Sequence, residues 1–176
     1  MLSRHTAKEE VAMKITGSHV YAAPVDAVIA MLRDQSSTVA KYESMGHRDV
    51  EILEFGADDD TLRIVSSRVV DVELPGFAKK ALKPTNTMKQ SDEWRRQSDG
   101  TWSGTFDVDV QGAPVHISGT MGLTEDAGGA RHDVALDLDV KIPLIGGKIA
   151  DWVGKQDGQR NLDAEFAFND GRLGGG

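Results

Sequence analysis

From Trp102 to Ile142 the chain alternates apolar and polar residues through three consecutive segments, and nothing else in it constrains the fold as tightly. Trp102, Phe106, Val108 and Val110 share one parity, with Asp107 and Asp109 on the other. Val115, Ile117, Met121 and Leu123 stand in the same way against His116, Ser118 and Thr120. Val134, Leu136, Leu138, Val140 and Ile142 do so against Asp133, Asp137, Asp139 and Lys141. Successive side chains of a strand point to opposite faces, so the pattern predicts antiparallel strands with one wetted and one apolar face. Gly112-Ala113-Pro114 and Gly128-Gly129 supply the connections, and Asp99-Gly100 signals a hairpin before them.

An apolar sheet face needs a cover. Pro143 ends the last strand, and beyond it Ile145, Ile149, Trp152, Val153, Gln156, Leu162, Phe166 and Asn169 recur at helical spacing. A helix from Leu144 to about Leu173 would cross a whole sheet at roughly 1.5 Å per residue. Gly146, Gly147, Gly154 and Gly158 weaken it, and glycines there permit close packing or leave space beside the helix.

Upstream, residues 13–23 read as a strand. Pro24 suits a first helical turn, with Val25, Val28, Ile29 and Leu32 at helical spacing after it. A second short helix is expected over Ser37 to Ser44, then strands over Val50 to Phe55, Leu62 to Val72 and Thr87 to Gln97. Leu74 to Leu82 reads as a loop and short helix, a packed tip or a lid flanked by Lys79 and Lys80. The expected fold is α+β: a curved antiparallel sheet of about seven strands around a long C-terminal helix, with two short helices after the first strand. Residues 13–173 are expected to form one domain, residues 1–12 a flexible extension with Met13 a candidate natural start, and residues 174–176 a flexible tail.

A chain of 176 residues suits one domain, and its lack of cysteine excludes disulfides, thiolate metal sites and cysteine nucleophiles. No leader-like or membrane-length apolar run occurs, so a cytoplasmic location without integral membrane association is expected. The net charge of −8 argues against nucleic acid and anionic membranes. No G-x-S-x-G elbow occurs. His5, His19, His47, His116 and His132 lack ligand spacing, His116 and His132 take opposite faces by parity, and His47 reads as solvated. No metal and no cofactor is expected, and the chain is expected to be a monomer or homodimer.

The middle strands carry an anomaly. If Leu62 and Ile64 face the apolar side, parity sends Ser66 and Arg68 inward. In the next strand Gln90 and Asp92 share parity with Met88 and Trp94. Such a face is either the lining of a cavity whose polar groups orient a ligand, or a bulged strand whose charges reach water. On the C-terminal helix, the inner stripe brings Gln156, then Gln159 or Arg160, and Asp163 inward, unless the helix rotates to give the core to Leu162 and Phe166.

The junction Tyr21-Ala22-Ala23-Pro24-Val25-Asp26-Ala27-Val28 and the closing segment Val140-Lys141-Ile142-Pro143-Leu144-Ile145-Gly146-Gly147-Lys148-Ile149 resemble the START-like, or polyketide cyclase/dehydrase and lipid transport, superfamily (SRPBCC) with its helix-grip fold. With Ile117-Ser118-Gly119-Thr120-Met121 upstream, the closing segment is similar to an uncharacterised bacterial branch known only as a domain of unknown function. The resemblance covers nearly all of residues 13–173. It implies a cavity between sheet and helix for lipids, sterols or polyketides, and no particular activity. Ser66, Arg68, Met88, Gln90, Asp92 and Trp94 would line such a cavity from the middle strands. Phe106, Val108, Ile117, Met121, Leu136 and Leu138 would line it from the later ones, and Ile149, Trp152, Val153 and Gln156 from the helix.

Three functions follow as expectations. The first is binding or carriage of a small hydrophobic or amphipathic molecule. The second is a polyketide cyclase/dehydratase-like enzyme, with Asp92 the candidate acid or base and Arg68 placed to stabilise an oxyanion. The third is a protein-interaction domain with no open cavity.

Overall fold

The computed structural model describes residues 11–174, and the side chains of Val11, Gln156 and Asp157 lie outside that description. Seven strands form one antiparallel sheet: β1 (Val11–Tyr21), β2 (Arg48–Ala57), β3 (Thr61–Asp71), β4 (Thr85–Arg96), β5 (Trp102–Val110), β6 (Val115–Asp126) and β7 (Gly129–Val140). Their order is β1-β7-β6-β5-β4-β3-β2, so strands adjacent in sequence at the start of the chain form opposite edges. Helices α1 (Val25–Arg33) and α2 (Gln35–Ser44) bridge them. α1 packs on β6, β7 and the C-terminal helix, and α2 on β2 and the same helix.

Local chemistry sets these boundaries. Pro24 is extended, and its carbonyl accepts from Ala27 and Val28 N–H at 3.0 and 3.2 Å, which opens α1 without needing a proline N–H. Asp34 ends α1 and caps α2, its Oδ1 accepting from Ser36 N–H at 3.0 Å. β1 begins at Val11, two residues before the apolar alternation predicts, and residues 1–10 and 175–176 lie outside the described chain. The β6–β7 turn falls on Ala127 and Gly128, both at positive φ (50° and 84°), as a primed two-residue turn requires. Gly129 instead belongs to β7, where a Cβ would run into the Tyr21 carbonyl.

The predicted C-terminal helix exists in two lengths joined by a π-helical turn: α3 (Gly146–Val153), the turn over Gly154–Gly158, and α4 (Gln159–Gly174). It starts two residues late because Leu144 sits at φ 69° after Pro143. The wide turn packs against β1: a Cβ on Gly154 would meet Met13 Sδ, and one on Gly158 would meet Ile15 Cδ1. Those glycines serve close packing.

Two apolar clusters fill the concave side. One gathers Tyr21, Val28, Ile29, Leu62, Ile64, Trp94, Trp102, Phe106, Val108, Leu123, Val134, Leu162 and Phe166 between sheet, α1 and α4. The other holds Ala78, Leu138, Val140, Ile142, Ile149 and Ala150 beneath α3. The Leu74–Leu82 segment packs into this second cluster through Ala78, and Lys148 Nζ lies 4.3 Å from the centre of the Phe77 ring.

Candidate functional site

The β3–β4 register is unbroken and pairs Leu62 with Trp94, Ile64 with Asp92, Ser66 with Gln90 and Arg68 with Met88. Leu62, Ile64 and Trp94 are core residues, so Ser66, Arg68, Gln90 and Asp92 share their concave face. The bulges lie in β2, between Arg48 and Glu51 and between Ile52 and Glu54, and leave this parity intact.

Ser66 and Arg68 are buried, at 1% and 5% exposure, while Gln90 and Asp92 are half-buried. Arg68 Nη2 donates to Gln90 Oε1 at 2.8 Å, and Gln90 Nε2 donates to Asp92 Oδ1 at 2.8 Å. Gln90 therefore stands between the two charges, and Arg68 makes no ion pair among the described residues. Its guanidinium lies over the Tyr42 ring, 3.9 Å from the centroid. Arg68 Nε and Nη1, Ser66 Oγ and Tyr42 Oη are all buried without a hydrogen-bond partner among the described residues. Buried polar groups are ordinarily paired, so four such atoms on neighbouring residues mark this as something other than core.

The helices close the cluster. Lys41 on α2 donates from Nζ to Glu165 Oε1 on α4 at 2.9 Å. Burial pulls the Lys41 ammonium toward its neutral form, but the Glu165 carboxylate outweighs it and holds Lys41 charged. Burial likewise pushes Glu165 up, and Lys41 more than reverses it, leaving Glu165 below the ordinary carboxylate range. Asp92 differs: burial pushes it above that range, and Lys41 and the Gln90 hydrogen bond offset this only in part. His47, expected in solvent, is half-buried and stacked on Tyr42 at 5.7 Å. Burial, then the positive charges of Arg68 and Lys41, lower it to about 4.

A second polar chain lies deeper. Asn169 Nδ2 donates to Tyr21 Oη at 3.0 Å, and the Tyr21 hydroxyl meets His132 Nδ1 at 3.1 Å. With Tyr21 donating, the imidazole hydrogen sits on Nε2, which is buried without a partner. Burial lowers His132 to about 4 and pushes the Tyr21 hydroxyl well above its usual value.

The other expected lining residues divide. Trp94, Phe106 and Val108 are buried in the first cluster, and Leu138 and Ile149 in the second, the last two at 1% and 0% exposure. Met88, Ile117, Met121 and Leu136 keep accessible surface while packing against the clusters, and Trp152 and Val153 are half-buried on α3. The Gln156 side chain lies outside the described residues. Gln159, Arg160 and Asp163 are exposed, because the helix turns Leu162 and Phe166 to the core. Lys41, Tyr42 and Glu165 escaped the sequence reading. Glu165 could have been found, since Leu162, Glu165, Phe166 and Asn169 are spaced as one helical stripe.

Shallow recesses open on the convex face, one over Thr105, Ser118, Gly119 and Thr120, another over Thr16, Ser18, Thr120 and Gly122. They hold none of the buried unpartnered groups, so the concave cluster is the better candidate site.

Residues 16–169 match the family described as "Protein of unknown function (DUF2505)". The chain belongs to this family. Its antiparallel sheet and C-terminal helix form a helix-grip fold. The structure is similar to TTHA0849 from Thermus thermophilus, with TM-score 0.63 and 17% identity over 92% of this chain and 97% of that one. It is also similar to the STAR-related lipid transfer protein (fragment 25-204) from Xanthomonas axonopodis, with TM-score 0.55 and 16% identity over 91% of this chain and 85% of that one. Among curated proteins, the uncharacterized protein Rv0481c of Mycobacterium tuberculosis is 28% identical over 102 residues, 56% of this chain and 59% of the relative. The match thus spans about three fifths of the length of the curated relatives. Among the described residues, no helix is long and apolar enough to cross a membrane.

Proposed function

We propose that this chain binds or carries a small hydrophobic or amphipathic molecule, of lipid, sterol or polyketide-like kind, between the concave sheet face and the C-terminal helix. One observation carries the reading. Met88, Gln90, Asp92, Ile117 and Leu136 point to the covered side of the sheet yet keep accessible surface. Beside them Arg68 and Ser66 have buried polar atoms without partners. An apolar wall with a few polar groups is what an amphiphile's site requires. Each Å² of apolar ligand surface covered there contributes about 25 cal/mol. Likeness to a lipid transfer protein of the same fold supports the reading as analogy.

Native mass spectrometry of the purified protein, followed by solvent extraction, tests it. The expected result is a stoichiometric small-molecule adduct, or saturable uptake of an added fatty acid by the stripped protein. Neither adduct nor uptake would remove the proposal and leave an interaction domain with a filled interior.

Asp92 favours a second reading, a cyclase- or dehydratase-like enzyme. Its carboxyl is half-buried, pushed toward the protonated form by burial, and joined to Arg68 only through Gln90. A proton donor at neutral pH needs such a setting. Turnover of a polyketide-like substrate that vanishes in Asp92→Asn, with binding retained, would support this reading over simple carriage.

A further inference from the structure

Arg68, Tyr42 and Ser66 converge from β3 and α2 with unmet hydrogen-bonding capacity. Arg68 Nη2 is used on Gln90, whereas Nε and Nη1 have no partner among the described residues. Tyr42 Oη and Ser66 Oγ have none either, and the residues are 3% and 1% exposed. All four atoms can donate a hydrogen bond. The carboxylates nearby do not answer them. Glu165 is taken by Lys41 at 2.9 Å, and Asp92 is reached only through Gln90. Lys41 and Glu165 cancel, and burial disfavours the charged form of Asp92, the remaining carboxylate beside Arg68. His47 stacks on the Tyr42 ring, and burial first, then the charges of Arg68 and Lys41, disfavour its protonation. The Tyr42 ring lies on one face of the guanidinium and fixes its plane, which removes much of the ordering cost of using the free N–H groups.

We propose, resting on the pocket reading above, that the ligand is an amphiphile with an oxyanion head, received by the free N–H groups of Arg68 and the hydroxyls of Tyr42 and Ser66. Its apolar tail would lie along Met88, Ile117 and Leu136, which keep accessible surface on the same face. A carboxylate, sulfonate or phosphate offers several acceptor oxygens and a charge that a neutral alcohol lacks. Recognition by buried donors rejects a head that cannot accept from all of them.

The test is a heteronuclear NMR titration of the full chain with decanoate, 1-decanol and decylammonium, which share a tail and differ in the head. Decanoate is expected to bind at least about tenfold more tightly than decanol, as a charge-assisted hydrogen bond implies, with decylammonium weakest. Its shift changes should centre on Ser66, Arg68 and Gln90. Arg68→Met should bring decanoate to the level of decanol. Should that variant not fold, Tyr42→Phe keeps the stacked ring, removes one donor, and should narrow the acid-to-alcohol ratio severalfold. Equal affinity of all three probes for the unmodified protein would overturn the head-group assignment and leave the pocket standing, with water meeting the free donors. A preference for decanoate that survives in the folded variants would overturn it too. Binding of none of the probes would overturn both the pocket reading and the inference built on it.

Discussion

Across β5, β6 and β7 the concave face is apolar except for His132 and Glu125, and Phe106, Val108, Leu138 and Val134 are buried in it. Across β3 and β4 the same face carries Ser66, Arg68, Gln90 and Asp92. Both regions belong to one continuously paired sheet, with α1 packed on β6 and β7 and α2 on β2. The first region follows the rule that a covered face is apolar, except at one end, where Trp102 Nε1 and His132 Nε2 are buried without a partner among the described residues. The second breaks it and, with Tyr42 of α2 stacked on Arg68, leaves four buried polar atoms on three residues without a partner among those described. A stable fold gains nothing from unmet buried donors, each costing roughly 1–3 kcal/mol. Departures of this kind gather where a site must meet something other than the protein itself.

The largest expected effect separates the two regions by packing alone. Leu138 is 1% exposed, and Leu138→Ala should cost about 2–5 kcal/mol in chemical denaturation. Met88 keeps accessible surface, and Met88→Ala should cost under about 2 kcal/mol while weakening ligand binding. Comparable losses would mean the β4 face is packed as tightly as β7, and the contrast would fail.

Next comes the ion pair that closes the polar region. Glu165→Gln leaves Lys41, whose side chain is 10% exposed, without its counter-charge. A loss of about 3 kcal/mol at neutral pH is expected, because breaking a buried pair strands one charge. Glu165 is held below the ordinary carboxylate range, so the pair's contribution is complete above that range. It disappears as the pH falls through the depressed value. A thermal midpoint unchanged by Glu165→Gln would show that water, not Glu165, solvates Lys41.

The fold was legible because an apolar parity sustained over three strands admits few covers, and the stripe after Pro143 supplied one. Its details were not. The turn residues shifted by one because Gly129 is needed in β7 against the Tyr21 carbonyl, so Ala127 takes a positive φ instead. The strand half of the site was legible by the same parity, since β3 and β4 pair without a slip. The helix half was hidden. Ser37, Thr38, Lys41 and Tyr42 form the buried stripe of α2, and only the last is apolar enough to signal burial. The spacing of the histidines speaks only to metal binding, whereas strand parity places His132 inside with Leu136 and Leu138.

His132 provides a pH test of comparable size. Its folded value is lowered from 6.5 to about 4, so below pH 6.5 the unfolded chain takes up a proton that the folded chain refuses. Stability should therefore fall between about pH 6.5 and 4, by on the order of 3 kcal/mol from this residue alone. His132→Gln, which still offers Tyr21 an acceptor, should flatten that slope. Asp92→Asn should act in the opposite direction and more weakly. It removes a carboxylate whose charged form burial disfavours and keeps the acceptor for Gln90, so stability at neutral pH should hold or rise slightly. A clear loss would mean that Asp92 acts chiefly as a structural counter-charge for Lys41 or Arg68.

The smallest expected effect gives the sharpest contrast, because it falls on the same strand. Arg63 and Arg68 lie on β3 with opposite parity. Arg63 faces solvent with its side chain 46% exposed, paired with Glu54 at 3.4 Å and with Glu93. Exposed pairs of this kind are worth about 0–1 kcal/mol and weaken with salt. Arg63→Ala should therefore move the denaturation midpoint by no more than that, with the shift fading at high ionic strength and decanoate affinity untouched. Arg68→Met should do the reverse, changing decanoate affinity at all salt concentrations with only a modest effect on stability, since it exchanges unmet donors for an apolar chain of similar reach. If both substitutions moved stability and binding alike, charge on β3 would matter only as a sum. The difference between a wetted and a covered face, on which the site assignment depends, would then carry no functional meaning.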